Sequence, residues 1–151
     1  MKETAVFMNM CRVIDPEGRW LMQERNDDDY PGWIFPGGHL EENESLSMSV
    51  IREVKEETGL TIKNPRLVGV KHWAEHDGVR YTIFLYDATE YSGDLVSTDE
   101  GRVFWATPEE VKNGPVVADF WDNMPLYENE QYQELCYLWN ESKNDWDPIY
   151  T

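Results

Sequence analysis

The stretch that decides the fold runs from Gly38 to Leu60 and reads GHLEENESLSMSVIREVKEETGL. Apolar residues recur within it at i, i+4 and i+8, at Leu46, Val50 and Val54, which is the spacing of one face of an α-helix. Gly59 then supplies a C-terminal stop, because glycine readily takes the left-handed conformation that ends many helices. The spacing predicts a helix over residues 44–58 with a single apolar stripe.

Three glutamates share another face of this predicted helix. Glu53, Glu56 and Glu57 are three and four residues apart, so their side chains project from neighbouring positions. Like charges at that spacing repel by roughly 0.2–0.5 kcal/mol per exposed pair, and a bound divalent cation would turn that repulsion into attraction. This spacing by itself favours an ordinary solvated acidic face, with a cation site as the alternative, so the surrounding residues must decide between them.

The whole stretch also fits the pattern G-x5-E-x7-R-E-U-x-E-E-x-G-U, in which U is a bulky aliphatic residue. All nine specified positions are filled, by Gly38, Glu44, Arg52, Glu53, Val54, Glu56, Glu57, Gly59 and Leu60. Nine fixed positions within 23 residues are very unlikely to match by chance. On these residues the sequence resembles the Nudix hydrolase family, also called the MutT family.

The resemblance implies a fold and a chemistry. The expected fold is α/β, a mixed β-sheet sandwiched between helices, in one Nudix domain over residues 1–151 with its motif at 38–60. The expected activity is hydrolysis of a nucleoside diphosphate linked to another group, with Mg²⁺ or Mn²⁺ as cofactor. The resemblance assigns the metal to Glu53, Glu56, Glu57 and a backbone carbonyl at Gly38, and gives Arg52 the role of orienting a glutamate.

Two further glutamates have open roles. Nudix enzymes take the base for the attacking water either from the helix or from a later loop, and the loop candidate here is Glu100, a further metal ligand candidate. Its alternative is an ordinary turn carboxylate. Glu44 lies where a carboxylate favours a helix start, so a cap is as good an interpretation of it as a catalytic role.

Over nearly its whole length the chain is most similar to the bacterial MutT-type subgroup, which converts oxidised purine triphosphates such as 8-oxo-dGTP to the monophosphate and pyrophosphate. Outside residues 33–60 the motifs of this resemblance are much less specific. That resemblance places Phe35 and Asp119 in the base pocket and Arg25 on phosphate or sugar. Phe35 could instead be a core aromatic, and Asp119 could cap a helix. The subgroup has asparagine where this chain has Asp119, which puts the guanine preference in doubt.

Two other functions stay open. The same helix with other loops would act on ADP-ribose, a dinucleoside polyphosphate or a sugar nucleotide. A Nudix-fold binding module without catalysis is the second alternative, and the complete set of helix glutamates argues against it.

Composition limits the partners. The chain has 151 residues, with 13 Lys and Arg against 30 Asp and Glu, a formal net charge of -17. This balance argues against duplex nucleic acid and anionic membranes, because each phosphate contact normally needs a basic side chain. It favours a hard, oxygen-ligated cation as companion of a nucleotide substrate. Cys11 and Cys136 form no metal spacing, and no secretion signal is evident, so we expect a cytoplasmic protein, as monomer or homodimer.

The remaining elements follow from local patterns. We expect strands at 4–14, 19–25, 66–73, 79–88 and 102–106. Thr107 with Pro108 and Glu110 predicts a capped helix start. Apolar residues at i, i+3, i+4 and i+7, namely Tyr132, Leu135, Cys136 and Trp139, predict an amphipathic helix near the C-terminus.

Overall fold

The computed structural model describes residues 2–151. Its strands are β1 (Thr4–Val13), β2 (Trp20–Arg25), β3 (Gly32–Ile34), β4 (Thr61–Lys63), β5 (Arg66–Ala74), β6 (Val79–Ala88), β7 (Glu90–Ser92), β8 (Val103–Ala106), β9 (Glu134–Asn140) and β10 (Asp145–Tyr150). Its helices are α1 (Leu46–Thr58), α2 (Pro108–Lys112) and α3 (Met124–Glu128), with a short 3-10 helix at Phe120–Asn123 before α3.

The main sheet is mixed and has five strands in the order β1-β6-β5-β9-β10. Strand β1 runs parallel to β6, and β5 runs parallel to β9, while β5 with β6 and β9 with β10 are antiparallel. A three-stranded antiparallel sheet, β3-β2-β8, and a two-stranded one, β4-β7, complete the fold.

The two faces of the main sheet are buried by different helices. Alternate side chains of β6 point to opposite faces, as the pleat of a strand requires. Leu85 therefore joins one core cluster, with Phe35, Phe120, Leu126 and others. The next residue, Tyr86, joins the second cluster, in which the apolar stripe of α1 packs against β1 and β2. Helix α1 covers one face and α3 the other, which confirms the predicted mixed sheet between helices.

The local signals of helix ends are confirmed. Helix α1 begins after Ser45, whose side chain is the N-cap, so the cap is not Glu44. It ends at Gly59 in the left-handed conformation. Thr107 forms a complete capping box with Glu110 at the start of α2.

The predicted C-terminal amphipathic helix is wrong. Residues Glu134–Asn140 form strand β9, which pairs with β5 on one side and β10 on the other. Four apolar residues matched a helical spacing, but Leu135, Tyr137 and Trp139 also fit the two-residue period of a strand. Pairing with β5 buries Leu135 completely, and this contact between distant segments decides between the two periods.

Both cysteines are free; Cys11 is buried and Cys136 is partly buried. No helix within the described residues is sufficiently long and apolar to span a membrane.

Candidate active site

The three helix glutamates lie on a helix that is held at both ends. Ser45 caps its start, and Gly59 closes its end with a φ of 84°. Val50 and Val54 are fully buried beneath it. This orientation leaves the glutamate face turned towards a cavity of about 610 Å³.

Arg52 binds several of the acidic residues at once. Its Nε and Nη2 donate to the two oxygens of Glu44 at 2.5 and 3.1 Å. Its Nη1 donates to Glu53 at 2.9 Å and to Glu56 at 3.1 Å, and its Nη2 also donates to the His39 carbonyl at 2.9 Å. The guanidinium hydrogen bonds lower the pKa of Glu44 to about 2. Arg52 is thus placed to orient the helix carboxylates, which is the role that the sequence resemblance assigns to it.

The innermost carboxylates lie in an unfavourable environment for negative charge. Glu57 is buried, and the Gly37 amide donates to its Oε2 at 3.1 Å. Burial raises the pKa of Glu57 to about 8, with Glu100 and Glu53 adding to the shift. Burial also raises the pKa of Glu53. Carboxylates that are crowded and desolvated in this way are stabilised by a cation, which supplies the missing positive charge.

Gly38 makes room for one of these carboxylates. A Cβ at this position would lie 2.4 Å from the carboxyl carbon of Glu53, so any larger residue would displace that side chain. The Gly38 carbonyl accepts a hydrogen bond from the Asn9 amide at 2.8 Å. Because Gly38 has no side chain, the Glu53 carboxylate can pack directly against its backbone.

The donor set fits a hard divalent cation. Glu53, Glu56, Glu57 and Glu100 all line the same cavity and offer carboxylate oxygens, the ligands that Mg²⁺ and Mn²⁺ prefer. Within residues 2–151, no three His, Cys, Asp or Glu side chains already converge as a finished metal cage. Glu53 and Glu56 each direct one carboxylate oxygen to Arg52, and the second oxygen of each is not part of that contact.

The structure places the remaining predicted site residues around the same cavity. Arg25 is partly exposed, donates to the Tyr30 carbonyl at 3.1 Å and pairs with Asp27 at 3.0 Å. Phe35 lines the cavity but is only 2% exposed, because it packs against Trp20, Phe120 and Tyr127. Almost none of the Phe35 ring is therefore accessible to a ligand, which does not favour Phe35 as a platform for base stacking.

Asp119 lies at the far end of the cavity and does not act as a helix cap. It precedes the 3-10 helix but makes no capping hydrogen bond. One of its oxygens accepts from the Tyr30 hydroxyl, and the other lies 2.5 Å from the Lys71 ammonium. Burial raises the pKa of Asp119.

Sequence reasoning missed two positions that support the site. Lys71 is a lysine in the middle of a strand, and only 2% of it is exposed; a charged residue between Val70 and His72 in a strand was the available signal. Asn9 accepts from the Gly38 amide at 3.2 Å and donates to Ser49 at 2.9 Å, tying strand β1 to the loop and to α1. Nothing in the pattern of β1 distinguishes Asn9 from an exposed strand residue.

The comparisons with known proteins agree with this geometry. A family model described as the NUDIX domain matches residues 6–127. Among solved structures, a MutT protein from Bacillus halodurans superposes with a TM-score of 0.74 at 25% identity, over 96% of this chain and 97% of that one.

Curated relatives carry several activities in their names. An uncharacterized Nudix hydrolase of Bacillus subtilis, YvcI, is 39% identical over 89 residues, 56% of this chain and 56% of its own length. The match thus spans little more than half of that relative. A CTP pyrophosphohydrolase of Escherichia coli is 26% identical over 79% of this chain and 87% of its own length. An 8-oxo-dGDP phosphatase of Danio rerio, NUDT18, is 28% identical over 93% of this chain and 42% of its own length.

Proposed function

The chain belongs to the Nudix hydrolase family, and from that premise we propose that it hydrolyses nucleoside triphosphates, with Mg²⁺ or Mn²⁺, to the monophosphate and pyrophosphate. The observation that carries this proposal is the position of four carboxylates in one cavity of about 610 Å³. The cavity extends from Glu56 and Glu57 to Asp119, so phosphates and base have separate ends to occupy.

Each group at the carboxylate end has a task in this proposal. Glu53, Glu56, Glu57 and Glu100 would hold the cation. When bound, a divalent cation lowers the pKa of a water molecule and offsets the charge that develops on phosphoryl oxygens. Arg52 keeps Glu53 and Glu56 in place through its hydrogen bonds of 2.9 and 3.1 Å. In this proposal the proton of the attacking water would go to Glu57 or to Glu100, which lie side by side at the cavity wall.

The proposed substrate is an oxidised purine nucleotide such as 8-oxo-dGTP. Support comes from the likeness to a MutT protein and from the 8-oxo-dGDP phosphatase among the relatives. It also comes from the polar group at the base end, where Asp119 lies beside Tyr30 and Lys71. Phe35 would form part of the wall beside the base, and Arg25 lines the same cavity, where it would contact phosphate or sugar.

A cytidine triphosphate is the second candidate substrate, since the match to the CTP pyrophosphohydrolase covers most of both chains. ADP-ribose, dinucleoside polyphosphates and sugar nucleotides remain alternatives for the same carboxylates. A Nudix domain crystallised with ADP-ribose, from Shewanella oneidensis NrtR, is only 17% identical and shares the fold alone.

The test is a nucleotide panel incubated with Mg²⁺, in which pyrophosphate and inorganic phosphate are measured separately. The panel contains 8-oxo-dGTP, dGTP, 8-oxo-dGDP, CTP and ADP-ribose. We expect pyrophosphate from triphosphates and a higher kcat/KM for 8-oxo-dGTP than for dGTP. Release of inorganic phosphate alone would contradict the cleavage proposed. Equal kcat/KM values for 8-oxo-dGTP and dGTP would contradict the proposed preference for an oxidised purine. The proposed cleavage to monophosphate and pyrophosphate would still hold.

A further inference from the structure

The base end of the cavity contains a buried cation with spare hydrogen-bond donors. Lys71 lies in the middle of β5 and is 2% exposed. An ammonium group has three donors. Among the described residues, Asp119 is the one hydrogen-bond acceptor found for this ammonium, at 2.5 Å. The remaining donors of Lys71 therefore have no acceptor among residues 2–151, and leaving a buried donor unpaired is costly.

Two aromatic rings flank the ammonium but do not accept ordinary hydrogen bonds. The Nζ atom lies 5.9 Å from the centre of the Trp73 ring and 5.3 Å from that of Tyr137. Burial lowers the pKa of Lys71 to about 8, with Asp122 opposing the shift, so the group is still mostly protonated at pH 7. Lys71 thus presents a positive donor between aromatic faces, the surroundings that suit a flat, polar ring.

The ammonium also lies where two cavities share a wall. Lys71, Trp73 and Asp119 line both the cavity with the carboxylates and a neighbouring one of about 380 Å³. Tyr137 and Trp146 complete the second cavity from strands β9 and β10. Both strands lie beyond residue 127, where the family match ends. This part of the chain therefore shapes the base end with residues that the family model does not cover.

Asp119 has little capacity left for a ligand. One of its oxygens accepts from Tyr30 and the other from Lys71. Tyr137, on the other side of the ammonium, is held by Asp122, which accepts its hydroxyl at 2.5 Å. The acidic side chains are thus occupied in fixing the groups around Lys71.

From these contacts, and resting on the proposed nucleotide hydrolysis, we propose that Lys71 reads the nucleobase by donating to a ring carbonyl, while Asp119 is the positioning residue that holds Lys71. Hypoxanthine and guanine carry a carbonyl at C6, and uracil carries one at C4. Adenine and cytosine carry an amino group at those positions. The amino group would face the Lys71 ammonium, and because both are donors no hydrogen bond could form. The substrate class is accordingly a nucleotide with a keto base, and amino bases are rejected.

The test uses pairs of nucleotides that differ in this one group. In wild type, we expect kcat/KM for ITP to exceed that for ATP, and that for UTP to exceed that for CTP, each by about tenfold or more. K71M should bring both ratios to within about twofold of one. D119N should keep most of the preference, because the amide oxygen still accepts from Lys71, whereas D119A should lose it. The matched control is K63M, which changes an exposed lysine of β4 and should leave both ratios as in wild type.

Binding measurements separate this inference from the proposed reaction. Dissociation constants of IMP and AMP, measured by calorimetry, should show the same preference in wild type and its loss in K71M, even if no triphosphate is cleaved. If K71M is poorly folded because it leaves Asp119 buried without a partner, K71M/D119N removes both charges and takes its place. The assignment of Lys71 would be overturned if wild type bound IMP and AMP equally. It would also be overturned if the preference for IMP survived in K71M or in K71M/D119N.

Discussion

At the scale of single residues, the proposed hydrolysis depends on the negative charge of a few carboxylates. Glu57 is buried beside Glu53 and Glu100, and Glu56 is exposed on the same helix face. We expect E56Q and E57Q each to lower kcat by several orders of magnitude, since the amide keeps the shape but loses the charge that a metal ligand needs. Turnover of the preferred triphosphate in Mg²⁺ is the measurement.

E141Q is the matched control, because Glu141 is exposed in the turn between β9 and β10 and far from the motif in the chain. Its kcat should equal that of wild type. If E56Q and E57Q both kept more than about a third of wild-type turnover, the helix glutamates would not be the metal ligands.

The space at Gly38 gives a second prediction for a single residue. In G38A the new Cβ would meet the Glu53 carboxyl group at 2.4 Å, and that flexible side chain would have to move. We expect a loss of activity of tenfold or more with a shift in Tm of only a few degrees, because the displaced group is the end of a side chain rather than backbone. Unchanged kcat in a folded G38A protein would show that the position of Glu53 does not matter.

Lys71 makes stability depend on pH in a defined direction. Its pKa falls from 10.5 to about 8 on folding, so between these values the unfolded chain binds more protons than the folded one. Stability must then rise with pH from about 8 to 10.5, and this contribution levels off below about 8, where both states are protonated. From pH 8 to 9.5 the gain from this group is roughly 1.5 kcal/mol.

The measurement is urea unfolding at pH 8 and pH 9.5 for wild type and K71M/D119N. The difference between the two proteins isolates the Lys71–Asp119 pair, because the other titrating groups are common to both. A variant that gains as much stability as wild type over this interval would show that the Lys71 ammonium is not perturbed by burial.

At the scale of elements, the end of α1 depends on Gly59 for two reasons. Its φ is 84°, and a Cβ there would lie 2.5 Å from the Asp94 carbonyl oxygen. Gly78 has nearly the same φ, 85°, but open space around its Cβ position. We expect G78A to lower the free energy of unfolding by about 1 kcal/mol, from the backbone alone. G59A should cost about 2–3 kcal/mol, because the clash with backbone is added.

Chemical denaturation of both variants checks this expectation. Equal losses in G59A and G78A would mean that the helix end moves away from Asp94 without cost. The same experiment bears on function, since a displaced helix end would carry Glu57 with it.

At the scale of the whole molecule, charge is the dominant feature. The net charge of -17 makes the folded chain repel itself, and this repulsion is reduced by salt. The screening length falls from about 30 Å at 0.01 M to about 10 Å at 0.1 M. We expect Tm to rise by a few degrees when NaCl increases over that range, since the excess of carboxylates outweighs surface ion pairs that each contribute at most about 1 kcal/mol. A Tm that falls with NaCl would show that the ion pairs dominate.

Sequence and structure differ most where a contact joins distant segments. Strand β9 was predicted as a helix because four apolar residues matched the helical period, while Leu135, Tyr137 and Trp139 matched that of a strand. Pairing with β5 decides between the two periods. Asp119 was predicted from resemblance, but its contact with Lys71 spans 48 residues and has no local signature.

The sequence by itself determined helix α1, its end at Gly59 and the spacing of Glu53, Glu56 and Glu57. These features depend on neighbours three or four residues apart, which the chain geometry of a helix dictates. Only the tertiary structure decided that Glu100 lies against Glu57, that Lys71 is buried beside Asp119, and that β9 and β10 extend the sheet to wall a second cavity. Those arrangements depend on which strands pair and which faces are buried, and such choices are made by contacts between residues far apart in the chain.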